Sequence, residues 1–168
     1  MKQNFLPSPI FRLRHLALVL AVFTFTGVAQ ATTWNGIEPL KSTRADVERA
    51  LGQPVKEDAA GAPDALRFNV AGGTVVVFFV DKKFVANKKL DPALEGTVLQ
   101  IILQHETATD TPETLKLKGK SEFIKESGGN TTTYRNLKDG VYYTFVENRL
   151  RTTRYSPSAE ELKKATVK

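Results

Sequence analysis

Leu40-Lys41-Ser42-Thr43-Arg44-Ala45-Asp46-Val47-Glu48-Arg49-Ala50-Leu51-Gly52-Gln53-Pro54 spells out a helix with a start, a face and a stop. Ser42 or Thr43 can cap it. Asp46 stands three residues after Thr43, the spacing at which two side chains satisfy each other's orphan N–H groups. Val47, Ala50 and Leu51 fall on one face at helical spacing. Gly52 suits the left-handed turn that ends a helix, and Pro54 bars its continuation. A weaker copy lies 77 residues on, where Leu40 matches Leu117, Lys41 matches Lys118, Val47 matches Ile124 and Gly52 matches Gly129. That copy predicts a second helix over Gly119 to Ser127, ending at Gly128-Gly129.

Strand patterns fill the rest. Leu66, Phe68 and Val70 alternate with Arg67 and Asn69 at the period of a half-buried strand. Gly72-Gly73 reads as a hairpin turn. The β-branched and aromatic run Thr74 to Val80 reads as a central strand, and Thr97 to Leu103 as a third. His105 to Glu113, rich in Thr, Asp and Pro, is read as a linker. Strands are expected again over Thr131 to Asn136, Val141 to Val146 and Arg149 to Tyr155, with turns at Lys138-Asp139-Gly140 and Glu147-Asn148. Helix plus three-stranded meander is therefore expected twice, in 32–104 and in 114–155, a duplication that says more about architecture than any single motif. Residues 156–168 read as a polar tail, with a short helix starting at Ser158 and Glu161 three residues on.

The pattern Thr43 to Pro54, followed by a polar gap and a meander, resembles the repeat unit of the SmpA/OmlA-type small periplasmic domains. Two such units in tandem resemble the β-lactamase inhibitory protein fold. With Trp34-Asn35-Gly36-Ile37, Gly96 to Ile101 and Asp139 to Tyr143, the arrangement is also similar to a group of uncharacterised exported bacterial proteins. The resemblance implies an α+β fold in which two α-β-β-β repeats form one curved antiparallel sheet with the helices packed on one face. It also implies a sheet surface that binds a protein. The lipid-bearing cysteine of the first family and the disulfides of the second have no counterpart here, because the chain has no cysteine.

Residues 1–31 read as an export signal. Lys2, Arg12 and Arg14 give a basic leader without acidic residues, Leu16 to Ala29 is an apolar run, and Ala29-Gln30-Ala31 is a small-x-small cleavage pattern. The run falls short of the roughly 20 apolar residues that span a membrane, so no stable insertion is expected after cleavage. The expected destination is the periplasm or the exterior. Removing 31 of the 168 residues leaves 137, and removing three leader cations lowers the net charge from +6 to +3. Such a balance does not point to nucleic acid. Without cysteine, stability must come from an apolar core.

Nothing assembles a catalytic or metal-binding set. The mature chain holds one histidine, His105, with no metal-ligand spacing around it and no nucleophile motif elsewhere. The glycine pairs open no helix and cradle no phosphate. The expectation is a non-catalytic protein without cofactor that binds a protein partner of unknown identity.

A binding face is expected on the side of the sheet away from the helices. Counting two by two from a turn at Glu147-Asn148 puts Tyr142, Arg149, Arg151 and Tyr155 on that side. They join Phe78, Gln100 and Ile102 from the first half, giving an apolar patch with a cationic rim. A second expectation is a carrier of a small anionic ligand, using Lys82, Lys83, Lys88 and Lys89 in an irregular connection.

Overall fold

A computed structural model describes residues 32–55 and 65–167. The export signal at 1–31 lies outside the described residues. Seven strands, β1 (Ala65–Val70), β2 (Gly73–Phe79), β3 (Val98–His105), β4 (Ile124–Gly128), β5 (Thr131–Asn136), β6 (Val141–Val146) and β7 (Arg149–Tyr155), form one antiparallel sheet. Their spatial order is β1-β2-β3-β7-β6-β5-β4. The first meander thus joins the second through its last strand, at β3 and β7. The helices are α1 (Arg44–Leu51), α2 (Lys82–Lys88) and α3 (Ala159–Lys164), with a 3₁₀ turn at Pro92–Leu94. The fold is α+β.

α1 follows the sequence. Thr43 Oγ1 accepts from the Asp46 N–H at 3.4 Å, and Asp46 Oδ2 accepts from the Thr43 N–H at 2.9 Å. Gly52 ends the helix at φ 84°. Val47 is fully buried against Ile37, Phe68, Val75, Val77, Phe79, Val98 and Ile101, forming the first core. Ahead of it, Asn35 and Gly36 both take positive φ, and Trp34 and Ile37 exchange backbone hydrogen bonds of 3.1 and 2.8 Å. This Asn-Gly turn is the kind that closes two-residue hairpins, and it swings Ile37 into the core.

The expected second helix is absent. Residues 119–123 form turns and coil, and Ile124–Gly128 is strand β4, with every residue exposed. Gly129 takes φ 58°, but the reversal it makes is the β4–β5 hairpin. A left-handed glycine serves either ending, so the residue does not decide between them. The second helix-face core is closed instead by the linker. Leu117 is buried with Tyr134, Phe145 and Leu150, and Ala108, Leu115, Phe123 and Tyr143 pack around them.

α2 corrects the irregular connection expected around Lys82 to Lys89. The Asp81 side chain caps it by accepting from the Phe84 N–H, and Lys89 ends it in the left-handed conformation. Val80, Val85 and Leu90 form a third small core with Leu40, Phe84, Leu94, Leu99, Leu162 and Ala165. α3 carries the expected capping box between Ser158 and Glu161.

The first hairpin also shifts. Val70 pairs with Gly73, so its turn is Ala71-Gly72 and Gly73 belongs to β2. A Cβ at Gly73 would stand 1.9 Å from the Gln104 carbonyl oxygen, an approach only glycine permits. The register moves by two residues and the faces stay as expected.

Candidate functional site

Cross-strand partners point to the same side of a sheet. Phe68, Val75, Leu103, Thr153, Tyr143 and Tyr134 therefore form one row on the helix side, and Leu66, Val77, Ile101, Tyr155, Val141 and Asn136 form another. On the opposite side one row crosses all seven strands. It runs Arg67, Val76, Ile102, Arg154, Tyr142, Arg135, Ile124. Phe78 and Gln100 pair beside it on the same side. None of the three cores draws on Val76, Phe78, Ile102, Tyr142 or Val146. Among the described residues, this face is open.

Of the residues expected on it, Phe78, Gln100, Ile102, Tyr142 and Arg149 are there. Tyr155 is not. It pairs with Ile101 and Val141 on the helix side and packs against the first core. Burial, with a smaller contribution from Tyr143, pushes its phenol up to about 12. The cause is a bulge in β7. Phe145 pairs with Leu150 but Thr144 pairs with Thr152, leaving Arg151 as an extra, exposed residue. Each residue after it reverses sides relative to a two-by-two count. The Leu150 N–H explains the irregularity, since it donates to the Asp110 carbonyl at 2.9 Å. There the linker continues beyond the last β3–β7 pair, Gln104 with Thr152.

The same reversal puts Arg154 on the open face, where its guanidinium lies over the Tyr142 ring, 4.1 Å from the centroid. Stacking of this kind orients the guanidinium while leaving its edge donors free. Arg135 is held by Glu126 on the neighbouring strand. The Nε atoms of Arg67, Arg135 and Arg154 are all buried without a hydrogen-bond partner among the described residues. Sequence reasoning missed these three arginines. Two-residue periodicity already placed Arg67 opposite Leu66 and Phe68, and the same count on β5 would have found Arg135. Only the bulge hid Arg154.

The titratable groups elsewhere are ordinary. His105 lies on the helix side at the far end of β3, with Nε2 2.9 Å from Thr153 Oγ1. Burial draws its pKa below the usual 6.5, partly offset by Asp110. It borders an open cleft of about 400 Å³ with Trp34, Asn35, Leu51 and Gln104. A second cleft of about 400 Å³ is lined by Arg44, Lys82, Lys83 and Glu95. Lys88 and Lys89, at the other end of α2, are not part of it. No group of three or more His, Cys, Asp or Glu residues suited to a metal occurs among the described residues. No described helix is long and apolar enough to cross a membrane.

No family model, curated protein or solved structure matches the chain.

Proposed function

We propose that the chain is an exported, non-catalytic protein-interaction module that binds its partner on the open face of the sheet. The observation that carries this reading is the seven-strand row. Apolar, aromatic and guanidinium groups alternate along it, and the cores on the other side claim none of its apolar members. Tyr and Arg are the side chains enriched at interface centres, because each joins a large contact area to polar reach. Export is supported by the leader pattern of 1–31, and a destination in the periplasm or outside the cell follows from it. Kinship with SmpA/OmlA-type repeats and the β-lactamase inhibitory protein fold is part of the same proposal. Its support is the pair of three-stranded meanders, β1-β2-β3 and β5-β6-β7, meeting at β3 and β7. In this view the linker around Leu117 replaces the second repeat's helix.

The test is capture from a periplasmic extract on the immobilised mature chain, compared with an Ile102→Asp variant and a Lys163→Asp control. Lys163 is an exposed residue of α3. A protein retained by the wild type and the control but lost from Ile102→Asp is the expected result. Identical retention on all three would remove the open face from consideration.

The Arg44-Lys82-Lys83 cleft supports a second reading, carriage of a small anion. Its cations outnumber its carboxylates, because the Asp81 side chain is engaged in capping α2. Titration with citrate should then show saturable binding that disappears in Lys82→Gln/Lys83→Gln. No heat of binding at millimolar citrate would dismiss it.

A further inference from the structure

We infer that the open face takes an acidic polypeptide segment laid across the strands, its Asp and Glu side chains pairing with Arg67, Arg154 and Arg135. The inference rests on the proposal that this face binds a partner, and it specifies the partner's chemistry.

Register brings the three arginines together. They come from β1, β7 and β5, far apart in sequence, yet share one cross-strand row. With neighbouring strands about 4.8 Å apart, Arg154 stands roughly 14 Å from Arg67 and roughly 10 Å from Arg135. An extended segment of about eight residues covers that distance.

Charge gives the sign of the partner. The strands present Arg67, Arg135, Arg149 and Arg154 on this face, against the single carboxylate of Glu126, which Arg135 already engages. Arg67 and Arg154 have no ion-pair partner among the described residues. All three also keep a buried Nε without an acceptor. A desolvated charged donor without a partner is costly and uncommon in folded proteins, so its occurrence at three points of one row calls for a reason. Side-on pairing of a carboxylate with Nε and one terminal nitrogen supplies it, once the guanidinium tilts toward the incoming group. Tyr142 holds the Arg154 plane ready for such a fork.

The groups between the arginines favour polypeptide over other polyanions. Val76 and Ile102 separate Arg67 from Arg154, and Ile124, 46% exposed, ends the row beside Arg135. A segment alternating carboxylates with apolar side chains meets both kinds of group. A sulfated glycan or a nucleic acid backbone brings charge alone.

Fluorescence anisotropy of the mature chain with a labelled eight-residue peptide of alternating Glu and Val tests this, with labelled heparin as the second probe. Peptide binding should weaken about tenfold or more in Arg67→Gln/Arg135→Gln/Arg154→Gln, and should fall with added salt. The triple Arg→Lys variant, which keeps charge and bulk but not the fork, should lose an intermediate amount, and circular dichroism of both variants checks that they fold. Lys82→Gln/Lys83→Gln should bind as the wild type. Failure to bind the peptide, tighter binding of heparin than of peptide, or equal weakening by the lysine variant would overturn the inference. A captured protein lost from Ile102→Asp but kept by the arginine variants would overturn it while leaving the open-face reading intact.

Discussion

Gly73 and Gly140 are fixed by neighbours rather than by turn statistics. A Cβ at either would fall 1.9 Å from a backbone oxygen, that of Gln104 or of Ser156, and Gly140 also holds φ 67°. Backbone cannot yield as a flexible side chain would, so Gly73→Ala and Gly140→Ala should each cost about 3 kcal/mol or more. Gly36→Ala, with φ 76° and open space around it, should cost only about 1 kcal/mol. Denaturant unfolding of the three variants separates close approach from strain. His105 offers a pH test. Its pKa is lower in the folded state than the usual 6.5, so the unfolded chain binds the proton more readily. The stability this represents is complete above pH 6.5 and is lost as pH falls through the depressed folded value. His105→Gln should flatten that part of the acid limb in urea midpoints measured from pH 7 to 5. A ring resonance titrating at or above 6.5 in the folded chain would refute the burial argument. On the open face, Tyr142→Ala should weaken partner capture by about 1–3 kcal/mol. The ring contributes to none of the cores, so melting temperature should move little.

Elements were legible where their determinants were local. α1 carries its cap, its buried Val47 and its stop within a dozen residues, and the structure uses all three. Mature-chain strands alternate clearly enough that nearly every face assignment held even when the first hairpin's register moved by two. The second helix was misread because the matching positions, Ile124 and Gly129, suit a strand and a hairpin equally well, and pairing with β5 decided between them. α2 was missed because it is short and its driving contacts, Leu99 and Leu162, are distant in sequence. The β7 bulge has no sequence signature at all, since it arises from where β3 ends and the linker begins. It allows a specific expectation. Arg151 is the unpaired extra residue, so deleting it should restore one-to-one pairing without turning any flanking side chain to the other face. The deletion variant should fold cooperatively, with Tyr155 still ionising near 12 in a spectrophotometric titration, whereas a bulge essential to the fold would leave it molten. Thr43→Ala, by comparison, should cost about 1 kcal/mol through loss of the α1 capping box.

At the scale of the whole molecule, the two meanders share one sheet but have separate cores. The first collects under α1 and the second under the linker, so two independently melting halves are conceivable from composition alone. Three connections argue against it. β3 and β7 pair at four positions, from Ile101 with Tyr155 to Gln104 with Thr152. Tyr155 leaves the second half to pack against the first core. Thr32 Oγ1 donates to the Asp139 carbonyl at 2.6 Å, tying the start of the described chain to the β5–β6 turn. Splitting the halves would also expose two strand edges at the centre of the sheet, with their unpaired backbone groups. The mature chain should therefore melt in a single transition. Trp34 fluorescence reports the first half, and near-ultraviolet circular dichroism is dominated by the tyrosines, which all lie in the second. The two curves should coincide, and the calorimetric and van't Hoff enthalpies should agree. Tyr155→Ala removes a half-buried aromatic at the junction and should cost about 3–5 kcal/mol. If the junction couples the halves, that variant should separate the tryptophan and tyrosine transitions. Coincident curves with the full loss of stability would place Tyr155 in a common core, and separated curves in the wild type would show that β3 and β7 merely adjoin two autonomous halves.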